Sequence, residues 1–220
     1  MFEGLERISQ SGDWTTLIFL LALVLITILK YSHSERFSKL FSLLYSEKYY
    51  TDYVKTNPLL FNNFHFYFIF VIIINISLFI YFIFKAYNLV DTEYGSLFYL
   101  ILFLSLFLYI SLRYLLGMLM GYIFDVFFDQ KYFTFLKISN LSLLSVLLFP
   151  LLILINYSVG NFHKFLITFS LVIVLLLFII RYFAIVKNEK LNFNNLFYLF
   201  LYLCALELSP FIVIYKLFVN

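Results

Sequence analysis

Six stretches of this chain are apolar enough, and long enough or nearly so, to cross a lipid bilayer, and they leave little sequence for anything else. A hydrocarbon core about 30 Å thick takes roughly 20 apolar residues in helical conformation. The stretches run over 14–31, 64–84, 96–124, 138–157, 162–182 and 196–219. Lipid offers the backbone no hydrogen-bond partners, so segments of this kind must satisfy their own amides and fold as helices. The expected fold class is therefore all-α: a polytopic transmembrane helical bundle of about six spans, one integral membrane domain over 1–220. Composition agrees, because 64% of the residues are hydrophobic and only 12% are charged, against about 25% charged in a soluble domain. Soluble globular, disordered and nucleic-acid-binding classes are excluded on that ground. A single cysteine, Cys204, rules out an internal disulfide and a multi-cysteine metal site.

Orientation follows from where the basic residues fall. Lys30, Arg36, Lys39, Lys48, Lys55, Lys131, Lys137, Arg181, Lys187 and Lys190 belong to one side, and Arg7, Lys85, Lys164 and Lys216 to the other. The heavier side is expected in the cytoplasm, which puts both termini in the periplasm of a bacterial inner membrane. The N-terminal run has acidic Glu3, Glu6 and Asp13 before it and no small-residue cleavage site after it, so it reads as a retained span rather than a signal peptide.

Between the first two spans, Phe37, Leu40, Phe41 and Leu44 recur at helical spacing, with Glu35, Arg36, Ser38 and Lys39 between them. The segment 34–55 is too polar to span. It is expected as an amphipathic interfacial helix on the cytoplasmic headgroups. Arg36, Lys39 and Lys48 would favour anionic lipid or an acidic partner; a plain elbow between two spans is the simpler alternative.

Two ionisable groups fall inside the apolar runs, Arg113 and Glu207. Such groups are expensive in lipid and are functional candidates by default. Glu207 lies about 17 Å from Leu196 at helical rise, and Arg113 about 20–25 Å from the opposite face. A snorkelling Arg113 side chain could reach Glu207. Asn75 is expected at the depth of Glu207, where it could join the same polar cluster. Three readings stay open: an ion pair that fixes helix register, separate groups with Glu207 protonated, or a functional site. Gly117 and Gly121 form a GxxxG pair that permits close helix approach, within the chain or in a homodimer. Pro150 and Pro210 are expected to kink the fourth and sixth spans. No catalytic residue, metal site or cofactor is indicated: HExxH, Cys/His clusters and Gly-rich phosphate loops are all missing from the sequence.

The string Leu203-Cys204-Ala205-Leu206-Glu207-Leu208-Ser209-Pro210 resembles the closing helix of an uncharacterised family of Bacteroidota polytopic inner-membrane proteins, a domain of unknown function. The layout of one N-terminal span, a basic amphipathic segment and closely spaced helices is similar too. The resemblance implies an envelope location and brings no activity with it. Taken together, these readings lead to the expectation of a non-catalytic integral membrane subunit or assembly factor of a bacterial envelope complex, with protein export or secretion as a setting. Its partners would be membrane lipids and other membrane subunits. The alternative is an integral membrane enzyme or carrier for lipid-linked substrates, built on Glu207 and Arg113.

Overall fold

The apolar runs do fold as helices. A computed structural model describes residues 13–43, 63–87, 95–123, 127–158 and 161–187. The helices are α1 (Asp13–Ser32), α2 (Ser34–Ser42), α3 (Asn63–Ala86), α4 (Gly95–Ile123), α5 (Phe127–Tyr157) and α6 (Asn161–Lys187). All but α2 are long and apolar enough to cross a membrane, over Trp14–Ser32, Phe64–Ala86, Gly95–Ile123, Thr134–Tyr157 and Phe162–Ile180. Lys48, Glu207, Pro210 and the expected sixth span lie outside the described residues. Four helices start within a residue or two of expectation. The fifth, α5, starts well before the expected 138, because the polar stretch Phe127–Lys137 continues the helix beyond its apolar part. Pro150 lies inside α5 on an exposed position, and the helix continues through it to Tyr157.

Ring contacts fix how the helices run. Trp14, at the start of α1, meets Tyr81 near the end of α3 at 5.1 Å and Tyr99 near the start of α4 at 5.4 Å. At the other end His33 meets Phe64 at 5.6 Å, and His65 meets Phe135 of α5 at 5.2 Å. The long helices therefore alternate up and down, with α3 and α5 parallel. The central helix is α3, which touches α1, α4, α5 and α6. Its consecutive residues Val71, Ile72, Ile73 and Ile74 are all buried, so it has no polar stripe, as a helix enclosed on all sides requires. Side chains pack into two clusters, one around Phe82, Leu78 and Leu152 toward the Trp14 end, the other around Phe64, Phe68 and Leu136 toward the α2 end.

Of the expected amphipathic segment 34–55, the structure describes the helix Ser34–Ser42, and residues 44–55 lie outside the described residues. The apolar face of α2 is turned onto the bundle. Phe37 stacks on Phe68 at 6.2 Å, and Leu40 and Leu43 are fully enclosed. The reason is the linker. Only His33 separates α1 from α2, with the His33 amide donating to the Leu29 carbonyl and the Phe37 amide to the His33 carbonyl. A one-residue joint keeps α2 against the end of the bundle, while Lys39 on its outer face stays exposed and Arg36 is partly so.

Candidate functional site

The polar residues inside the bundle fall into three layers. The middle layer joins α3 to α5. Asn75, fully buried, donates from Nδ2 to the Ser145 hydroxyl at 2.9 Å and to the Ser145 carbonyl at 3.1 Å. The Ser145 hydroxyl in turn donates to the Val71 carbonyl at 3.2 Å. Ser139, Ser142 and Ser145 are all fully buried, and their spacing of three keeps small side chains along the crowded part of α5. Small residues let backbones come close in lipid, and the hydroxyls add interhelical hydrogen bonds. Asn75 was visible in the sequence as a mid-membrane amide. The serine row is not among the residues the sequence analysis singles out, although its i, i+3, i+6 spacing in an apolar helix is a signal for it.

At the Trp14 end, the Thr15 hydroxyl donates to Oδ1 of Asn156 at 3.2 Å, tying α1 to α5. His163 Nδ1 lies 3.0 Å from the Ile155 carbonyl and 3.1 Å from the Ser158 hydroxyl. The Ser158 hydroxyl and amide also donate to that carbonyl. His163 in its Nδ1–H form therefore helps close the C-terminal turn of α5, whose last carbonyls have no helical donors of their own. This layer stitches helix ends together, and its one Ser–His contact, Ser158 with His163, is shared with the Ile155 carbonyl that both groups cap.

The α2 end holds His65, Arg36, Lys39, Arg113 and the glycine pair. His65 is buried between Phe64 and Phe135, and its Nδ1 has no hydrogen-bond partner. Arg113, partly exposed, donates from its guanidinium to the Tyr109 hydroxyl one turn earlier at 3.3 Å. Phe84–Phe98 and Phe70–Phe107 contacts set the register of α3 against α4. On that register Asn75 lies opposite residue 102, so Arg113 is about 16 Å further along α4 at helical rise. The structure thus separates Arg113 from Asn75, which the sequence reading had allowed in one cluster. The Arg113–Glu207 pairing involves a residue outside the described ones.

Gly117 and Gly121 are both buried. A Cβ on Gly121 would stand 3.3 Å from Gln130 Cβ and 3.4 Å from Phe127 Cα, so this end of the GxxxG pair accommodates the first turn of α5 in the same chain. Among the described residues, no three His, Cys, Asp or Glu side chains gather as a metal site. The arrangement positions helices against one another.

A test follows for the middle layer. Asn75→Leu removes both donors to Ser145 yet leaves the Ser145–Val71 bond intact. We expect a loss of about 1 kcal/mol, read as a lower SDS midpoint in unfolding titrations. Ser145→Ala made on top of it should add only the loss of the Ser145–Val71 bond, because the bond between the two side chains is already gone.

The family described as Domain of unknown function (DUF4271) matches residues 15–218. No curated protein and no solved structure matches the chain.

Proposed function

We propose that this chain, which belongs to the DUF4271 family, is a non-catalytic integral membrane subunit or assembly factor of a bacterial envelope complex. Protein export or secretion is the setting to test first. The observation that carries this reading is the outward face of α4. Leu97, Ile101, Leu104, Leu108, Leu112 and Leu115 are exposed along it, while its other side meets α3 and α5. Asn75 in α3 and Asn156 in α5 are both engaged in helix–helix bonding, so these amides serve packing. A broad apolar helix face is the surface through which a membrane subunit engages neighbours, with small and polar residues giving selectivity. The basic outer side of α2 adds a surface for acidic protein or lipid.

Photo-crosslinkers at Leu97 and Leu104 in cells, followed by gentle extraction, should capture a discrete membrane protein. Crosslinks confined to lipid, together with turnover or transport of a lipid-linked substrate by the reconstituted chain alone, would overturn the proposal. That outcome would favour the enzyme-or-carrier reading built on Glu207 and Arg113.

The same proposal includes an inner-membrane location with both termini in the periplasm. It rests on the asymmetry of Lys and Arg between the two sides. Reporters active only outside the cytoplasm should work when fused after Asn220 and fail after Lys187. The opposite pattern would invert the bundle.

A further inference from the structure

Arg113 and Lys137, far apart in sequence, are brought to one level by the packing of α4 on α5. The contact of Gly121 with Gln130 anchors the seam. The helices run antiparallel from there, so each step back along α4 is matched by a step forward along α5. Gly117 faces the level of Thr134, and Arg113 that of Lys137 and Ile138. On α4 the row Gly121, Gly117, Arg113 follows the i, i+4 ridge, and on α5 Gln130 and Lys137 are seven residues apart and share a face. The two cations therefore lie beside the same seam, about 12 Å from the Gly121 contact at helical rise.

Length gives their depth. With 29 residues, α4 is about 43 Å long, some 13 Å more than a hydrocarbon core of about 30 Å. The excess lies at the α2 end, because there α4 packs on the polar part of α5, Phe127–Lys137. The apolar part of α5 from Ile138 to Tyr157 fills the core without it. Arg113 and Lys137 then sit at the boundary between hydrocarbon and headgroups, not at mid-membrane. Both are partly exposed, and the neighbouring Tyr109, Leu112 and Leu116 on α4 are open to the outside of the bundle. Tyr109 also holds the Arg113 guanidinium through its hydroxyl. At that depth, on a face that opens sideways, the matching anion is the phosphate of a membrane lipid. A guanidinium takes two phosphate oxygens side by side, and an ammonium adds a point charge.

We propose that the α4/α5 seam is a binding site for an anionic phospholipid, whose phosphate is held by Arg113 and Lys137. This is independent of the subunit reading. The test uses the full-length protein in mild detergent, with dioleoylphosphatidylglycerol or dioleoylphosphatidylcholine added and bound lipid counted by native mass spectrometry. The wild type should retain phosphatidylglycerol in preference to phosphatidylcholine. Arg113→Gln and Lys137→Gln should each lower phosphatidylglycerol occupancy about tenfold, the loss of one charge-assisted contact, and Lys137→Arg should keep it. If Arg113→Gln does not fold, the pair Lys137→Gln and Lys137→Arg decides the matter. Unchanged occupancy in folded glutamine variants would overturn the proposal, as would equal retention of both lipids. Displacement of phosphatidylglycerol by millimolar inorganic phosphate would overturn it too, by identifying a site for the free ion.

Discussion

Phe68→Ala should be among the most damaging single changes in the described part of the chain, lowering stability by about 3 kcal/mol. Phe68 is fully buried, with Phe64 at 4.8 Å and Phe37 of α2 stacked at 6.2 Å. Lipid is as apolar as a phenyl ring, so the penalty does not come from exposing the side chain to water. It comes from the void and the lost contacts, since α3 is enclosed by other helices and cannot collapse to fill the space. The change should also loosen α2, whose Phe37 would lose its stacking surface. Two measurements check this. The thermal midpoint of the detergent-solubilised protein should drop by several degrees, and amide exchange in α2 should accelerate more than in α6. Phe37→Ala combined with Phe68→Ala should cost less than the two separate losses, because the residues share one contact. Strict additivity would show that α2 is held by something other than this stack.

Where the sequence was readable, one physical signal decided it. The run FHFYFIFVIIINISLFIYFIF is apolar on every side and of bilayer length, so a span over 64–84 was accessible without tertiary information. Its all-round hydrophobicity also carries the meaning of a central position, which hydropathy windows alone do not express. Segment α2 shows the limit from the opposite side. Periodicity identified its apolar face correctly but could not say what would cover it, because a face suited to lipid is equally suited to Phe68. The deciding feature was the one-residue joint at His33, and hydropathy does not register joints. Arg113 stands out in the sequence as a charge in an apolar run. Its level beside Lys137 depends on register between helices. That register is set by Gly121 against Gln130, a contact outside the reach of single-helix reasoning. Asn75 belongs to the same class: its amide was visible, and its acceptor on α5 was not.

The glycine pair gives the sharpest contrast between the two ways of reading. As a sequence motif, Gly117 and Gly121 admit any close helix, including one from a second copy. In the structure, the space beside Gly121 is already taken by α5. Gly121→Leu must therefore push α5 away from α4, since Phe127 Cα stands 3.4 Å from the first added atom and backbone cannot swing aside. Overpacking of this kind costs about 1–3 kcal/mol, and here it should reach the upper end because the Gly117 level moves with it. Gly121→Ala behaves differently. Its single Cβ meets Gln130 Cβ at 3.3 Å and Phe127 Cα at 3.4 Å, so α5 has to give by only a few tenths of an ångström. Replacing a glycine in the last turn of α4 also returns part of the roughly 0.5–1 kcal/mol that glycine costs a helix interior. The alanine variant should be close to neutral, and the leucine variant should lose folded yield and melt earlier. These changes should appear in the isolated monomer at any protein concentration. A leucine variant as stable as wild type as a monomer, but defective in self-association, would instead assign Gly121 to an interface between copies.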